Sequence, residues 1–305
     1  MNLAARFTGE HMSGHCPVCG SLDATFVSSR GSLRLLRCTR CTLAYSFPQP
    51  IAVVREKYLE HLNLSEHFEP WAARKRVLYE RRLRDLGPPE PGRNRLCDVG
   101  CADGQFLALA KERGWEPFGI EMNPPAAAKA RERGATVYQG ILEEIPDLPY
   151  GTFDVVTSWD ALEHTPTPRE FASRLTQLVA PGGRLVVTTL NHRSLAWLVF
   201  GMKWSMVVDD HFTYWNRRSL QFLFAEQGMK LISYRAYGLG RDFVSFVDSL
   251  RHTNRPVNQP APSATPNDRW DVRPTTLAIE DAVNHLLRWS GLGVGLYASF
   301  VRESR

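Results

Sequence analysis

Four of the six cysteines stand as Cys16-x2-Cys19 and Cys38-x2-Cys41, with eighteen residues between the pairs. A two-residue gap lets both sulfurs of a knuckle face one ion, and Pro17 and Gly20 suit the tight turn that aims them. Two knuckles on a hairpin-length connection predict a closed, tetrahedral, four-thiolate zinc site. Four thiolates leave no open position for water, so this zinc is expected to be structural. Thr25 to Ser29 and Leu33 to Arg37 supply the two strands, turning at Arg30-Gly31-Ser32.

A second group of residues points to a bound small molecule. Asp98-Val99-Gly100-Cys101-Ala102-Asp103-Gly104 follows an apolar run, and Glu121 comes seventeen residues after Gly104. Glycines at 100 and 104 let a backbone approach a ligand closely and open a helix. A dinucleotide turn needs a middle glycine where phosphates approach, and Cys101-Ala102-Asp103 stands there instead. A carboxylate before the first glycine repels pyrophosphate and suits an ammonium group, while Glu121 is placed to accept two ribose hydroxyls. This combination favours a zwitterionic nucleoside, and S-adenosylmethionine fits it.

Proton transfer has three candidates. His164, His211 and Asp160 each carry a side chain that can take a proton from a hydroxyl acceptor, and histidine has a pKa near working pH.

These residues need a scaffold. The middle of the chain alternates strand and helix signals, which predicts a parallel sheet covered on both faces. Strands are expected at 95–99, 116–121, 136–139, 153–159 and 183–190, the last after Pro181-Gly182-Gly183. Helices are expected at 105–113, 124–133, 169–179 and 217–227. Strands at 231–237 and 293–301 would complete the sheet as an antiparallel pair. The fold class is therefore α/β, a doubly wound seven-stranded sheet with a small N-terminal zinc ribbon and a cap and insertion toward the C-terminus. The ribbon is assigned to 1–50, a helical linker to 51–92, and the catalytic domain to 93–305, with a cap at 191–216 and an insertion at 241–290.

With these landmarks in order, the chain resembles the class I S-adenosylmethionine-dependent methyltransferases. The 98–104 stretch is similar to their glycine-rich first motif, with Ala102 in place of the more usual glycine. Glu121 matches the ribose-binding acid, and Gly140-Ile141-Leu142-Glu143 the segment whose backbone frames adenine, with Ile141 replacing a frequent aspartate. Phe153-Asp154-Val155-Val156, Leu162-Glu163-His164 and Pro181-Gly182-Gly183 match later landmarks. The resemblance implies cofactor contacts at Asp98, Gly100, Cys101, Gly104, Glu121, Met122, Ile141, Leu142 and Trp159. The cysteine pairs followed by Phe47-Pro48-Gln49-Pro50 resemble a subgroup common beside genes for glycan, lipid and natural-product assembly, whose members are mostly small-molecule methyltransferases. In that subgroup an acid–histidine pair followed by aromatics stands where Asp210-His211 does; in the resembled family Glu163-His164 often serves the fold around the cofactor, which favours His211 as the base. Trp204, Tyr214 and Trp215 are then candidate pocket walls, with core packing the alternative for each.

The composition agrees with a globular chain of 305 residues: 43% apolar, 23% charged and a net charge of +5. That charge is too slight to argue for nucleic acid, and no run of eighteen uncharged apolar residues could span a bilayer. Met1 to Glu10 lacks a secretory core, so a cytoplasmic protein is expected. Ser194 to Val208 is rich in large apolar residues; it reads as a cap over the cofactor, with a weak peripheral membrane contact as the other reading. The long insertion, with its proline-rich centre and a helix at 275–289, reads as a lid or a homodimer contact. Arg74-Lys75-Arg76 reads as a solvated helix face. The expected activity is O-methylation of a small-molecule acceptor. The alternatives are an RNA methyltransferase that uses the ribbon to hold RNA, and a non-catalytic partner subunit retaining the fold.

Overall fold

The computed structural model describes residues 14–49, 51–56, 72–238 and 274–303. Two sheets form. The first begins with β1 (Ala24–Arg30), β2 (Leu33–Cys38) and β3 (Ala44–Phe47), an antiparallel meander turning at Gly31. Its fourth strand comes from far along the chain: β9 (Thr213–Tyr214) pairs with β3 through Ala44↔Tyr214 and Tyr45↔Thr213.

The second sheet has seven strands: β4 (Arg95–Val99), β5 (Glu116–Glu121), β6 (Thr136–Gln139), β7 (Phe153–Trp159), β8 (Val179–Leu190), β10 (Met229–Tyr237) and β11 (Gly295–Arg302). They lie in the order β10-β11-β8-β7-β4-β5-β6. The run β6 to β8 is parallel, and β11 pairs antiparallel with both β8 and β10. The expected turn at Pro181-Gly182-Gly183 does not interrupt β8. Phe153 pairs with Val179 and Val155 with Arg184, so the turn is carried as a bulge inside the strand.

Strict alternation along these strands builds a core on each face. Leu96, Val155, Val186 and Tyr297 point to the face covered by α2 (Ala72–Leu86), α3 (Gln105–Glu112) and α4 (Pro124–Glu132). Cys97, Val156, Val187 and Ala298 point to the other, covered by α5 (Pro168–Leu178) and α7 (Arg217–Ala225). The helix expected to be a linker is thus a layer helix, with Leu83 and Leu86 in the core. Ahead of it lies the short α1 (Ile51–Glu56).

The cysteine-bearing sheet is not a free bead. Leu33, Leu35 and Ala44 pack on Leu190, Trp204, Val207 and Tyr214, while its cysteines join the core that contains Trp215. The segment after β8 forms α6 (Leu195–Phe200) and a 3-10 turn at Gly201–Lys203. Trp204, Tyr214 and Trp215 are completely buried, so the aromatics considered as pocket walls are core residues. Leu198 and Val199 of α6 are exposed. Of the long insertion, α8 (Pro274–Ser290) is described, and the proline-rich centre expected at 255–274 lies, but for Pro274, outside the described residues. No described helix is long and apolar enough to cross a membrane.

Candidate active site

The glycine turn lies at the carboxyl end of β4. Gly100 and Cys101 both donate their N–H to the Ile120 carbonyl (2.8 and 3.2 Å), tying the turn to β5. Gly104 opens α3 at φ +76, and a Cβ there would sit 2.7 Å from Ala130 Cα, so glycine lets α3 and α4 touch. Ala102 takes φ +47, a left-handed conformation that costs an L-residue about 1–2 kcal/mol. Cys101 turns its thiol onto Gly119, where an added Cβ would fall 2.5 Å from Sγ. What Cys101 offers along the turn is main chain.

Glu121 closes β5 and is 5% exposed. Its Oε2 accepts from Ala102 N (2.9 Å) and its Oε1 from Asn123 N (2.8 Å), which bridges the glycine turn to α4. Asn123 in turn caps α4 by accepting from Ala126 N at 3.1 Å. Burial raises the Glu121 carboxyl against the pull of these amides. Asp98, at 2% exposure, accepts from Thr157 Oγ1 of β7 at 2.7 Å. Burial pushes it up to about 7, against the Thr157 bond and the Arg82 charge. Met122 and Ile141 are half-buried, and Leu142 lies in the core. The Trp159 ring is buried on Phe106, centroids 5.3 Å apart, and among the described residues its Nε1 has no acceptor.

Two buried acids facing a turn tied back by its own amides form a poor cradle for phosphate. They are suited to a cation and to sugar hydroxyls, so the residues present fit S-adenosylmethionine.

Asp160 follows β7 at φ +52. Its Oδ2 accepts from Arg82 Nη2 (2.7 Å) and its Oδ1 from Thr188 Oγ1 (2.8 Å). Partial desolvation beside its neighbours would raise this carboxyl, but the Arg82 guanidinium and these bonds outweigh it and hold it below the usual range. Such an acid is a weak proton acceptor. Arg82 itself is buried on α2, with its guanidinium 4.5 Å from the Trp159 ring centroid. Arg82 was not among the candidate residues, although Tyr79, Arg82, Leu83 and Leu86 share the i, i+3, i+4, i+7 stripe that marks an inward face. In the run expected to be a solvated face, Arg76 pairs with Glu80, but burial lowers Lys75 to about 8, near the Asp103 and Asp160 charges.

The two candidate histidines meet. His164 ends the short 3-10 turn Leu162–His164 after β7, His211 comes from the segment before β9, and their ring centroids are 4.6 Å apart. His164 Nδ1 lies 2.8 Å from the Asp210 carbonyl and His211 Nδ1 2.7 Å from the Met206 carbonyl. A carbonyl only accepts, so the nitrogen facing it, Nδ1 in each ring, carries a proton. Burial, then the neighbouring His211, lowers His164 to about 4. Glu163 completes the group: its ligand atom and those of the two histidines lie within 4.8 Å of one another. It accepts from Thr189 Oγ1 at 2.8 Å, and burial pushes it up to about 8.

The four cysteines converge as their spacing predicts. Cys16 and Cys41 sulfurs are 3.4 Å apart, Cys19 and Cys38 sulfurs 3.5 Å, and all four fall within 4.8 Å of one another. A tetrahedron with Zn–S bonds of about 2.3 Å has edges of about 3.8 Å, so the set fits zinc.

The family described as "Methyltransferase domain" matches residues 71–234, more than half of the chain, and the chain belongs to it. The ubiquinone biosynthesis O-methyltransferase of Erwinia tasmaniensis is 34% identical over 111 residues, 34% of this chain and 46% of that protein. A probable tocopherol O-methyltransferase of Oryza sativa is 33% identical over 110 residues, covering 33% of this chain and 30% of its own. The chain thus spans less than half the length of these relatives. Among solved structures, a Thermotoga maritima S-adenosylmethionine-dependent methyltransferase, described as a possible histamine N-methyltransferase, superposes with a TM-score of 0.52 at 16% identity. That match covers 82% of this chain and 99% of the other, and shows the shared fold.

Proposed function

We propose that the chain transfers a methyl group from S-adenosylmethionine to a hydroxyl of a small molecule, and that its four cysteines hold a structural zinc. The observation that carries this reading is the meeting of His164 and His211 beyond β7, on the sheet edge where β4 and β5 present the glycine turn and Glu121. When bound, S-adenosylmethionine supplies an electrophilic methyl on a positively charged sulfur. Glu121 has lone pairs left on both oxygens for ribose hydroxyls. Asp98, Gly100, Cys101 and Gly104 would hold its charged end, Met122, Ile141 and Leu142 would frame its base, and Trp159 would stand by the turn.

His211 takes the acceptor's hydroxyl proton at Nε2, because Met206 already holds its Nδ1–H. His164 is the alternative base, and Asp160 is the weakest of the three. Alignment does the remaining work; well-oriented reactants gain roughly 7–11 kcal/mol. Oxygen is favoured as the acceptor atom because both named relatives are O-methyltransferases. The segment 191–216 is the cap on the acceptor side.

The reading is tested by isothermal titration with S-adenosylmethionine and its demethylated product, followed by transfer of labelled methyl to a panel of hydroxylated small molecules. One cofactor per chain and labelled ether products are expected. Absence of binding to either compound sinks the enzyme reading.

A further inference from the structure

We propose that the cysteine-bearing sheet positions the two acceptor-side histidines, with Arg30 as the residue that holds His211. The assignment of a role to the pair rests on the function proposed above; its placement by this sheet does not. Three links join the sheet to the pair, each between residues more than a hundred positions apart.

Arg30, at the end of β1, donates Nη1–H to the Met202 carbonyl (2.9 Å) and Nη2–H to the Val207 carbonyl. Those carbonyls flank Met206, whose own carbonyl receives the His211 Nδ1–H. One guanidinium therefore fixes the short segment that sets the tautomer and direction of the His211 ring. The Tyr214 hydroxyl donates to the same Met206 carbonyl at 3.4 Å, from a residue paired with β3.

Phe212 makes the second link. Its N–H donates to the Glu163 carbonyl at 2.7 Å, and its carbonyl accepts from Ser46 N at 2.9 Å. A single residue thus bridges β3 to the turn that bears Glu163 and His164, and that residue is the neighbour of His211. The third link starts at the second cysteine knuckle. Thr42 follows Cys41 directly, and its carbonyl and hydroxyl take the two donors of Asn216 at 3.0 and 3.1 Å. Asn216 is the N-cap of α7, closing the end of the segment that carries His211 and β9.

The four-thiolate cluster sits where these links originate. Only a few residues separate Cys38 and Cys41 from Thr42 and Ser46, and a hairpin of this size has little core of its own without its metal. The sheet's metal is therefore expected to be felt at the histidines, as order and orientation rather than as chemistry.

The test uses the full chain in three forms: as purified with zinc, after zinc removal by a chelator, and as R30A. Nitrogen-15 NMR of the histidine rings reports the Nδ1–H of His211 and its exchange with water. Titration with the demethylated cofactor product reports the cofactor site. In R30A and in the chelated protein, exchange of the His211 Nδ1–H should quicken at least tenfold while product affinity stays within about twofold. The turnover number in R30A should fall about tenfold with little change in KM for the methyl donor, and R30K, which reaches one carbonyl, should recover part of the loss. Unchanged His211 resonances in both R30A and chelated protein would overturn the proposal. If H211N and H164N both keep full transfer, the base assignment fails, yet the ring signals still decide whether Arg30 holds His211.

Discussion

Arg82 of α2 donates to Asp160 at the end of β7 at 2.7 Å, with its guanidinium stacked 4.5 Å from the Trp159 centroid. The pair locks a helix that precedes the sheet onto the strand edge that the cofactor would occupy. Arg82 Nη2 also reaches Thr188 Oγ1 at 3.3 Å, so β7, β8 and α2 share one polar knot.

Replacing Arg82 by Met should therefore destabilise the chain and loosen α2. Breaking a fully buried ion pair costs about 3–5 kcal/mol. The Asp160 side chain keeps 48% exposure, so water takes up part of its charge and about 2–3 kcal/mol is expected. Urea unfolding midpoints of the variant and the native chain measure this directly; equal midpoints would show that the pair holds nothing.

Glu121→Gln is not a conservative change here. Both carboxylate oxygens accept a backbone N–H, from Ala102 and Asn123, so an amide nitrogen would set donor against donor. Hydrogen bonds to charged groups are worth about 1.5–3 kcal/mol, which predicts roughly ten- to a hundredfold weaker binding of S-adenosylmethionine. Calorimetric titration of the variant gives the number, and an unaltered Kd would place the ribose elsewhere.

The glycine turn offers a pair of substitutions with opposite signs. Ala102→Gly removes the left-handed strain at φ +47 and should stabilise the chain by up to about 1 kcal/mol, after the added unfolded-state freedom of glycine. Gly104→Ala drives a methyl to 2.7 Å from Ala130 and should cost about 2–3 kcal/mol as α3 lifts from α4. Thermal melts of both variants should move in opposite directions.

Glu163 makes stability depend on pH in a defined window. Burial, then the Asp160 charge, raises its carboxyl from 4.5 to about 8, so between those values the folded chain keeps a proton that the unfolded chain has lost. Its contribution is complete below 4.5 and drains away as pH rises toward 8, by at most about 1.4 kcal/mol per pH unit. Relative to Glu163→Gln, which cannot titrate, the native chain should lose stability steadily from pH 5 to 8 and level off above. A stability difference that stays flat across denaturation series in this range would mean that Glu163 is ionised throughout.

Local pattern carried a great deal of this protein. Apolar runs located the strands of the larger sheet to within a few residues, helical apolar spacing located the helices that cover it, and the cysteine gaps located four sulfurs that do converge. The acid before the glycine turn and the acid at the next strand end could also be read, because both belong to short segments whose geometry is set by neighbours in the chain.

Other features depended on partners far away in the chain and left little local trace. Nothing around Thr213-Tyr214 says that these two residues complete a sheet begun near residue 24, and nothing around Arg30 names the Met202 and Val207 carbonyls. His164 and His211 looked like rivals in sequence and proved to be neighbours, brought together by strand pairing and by Phe212 between Glu163 and Ser46. Trp204, Tyr214 and Trp215 looked like pocket walls because aromatic type is visible in a sequence, whereas what covers an aromatic ring is not. Periodicity is a property of one segment and can be read from it; burial and polar pairing belong to two segments at once, and only the folded chain decides which two meet.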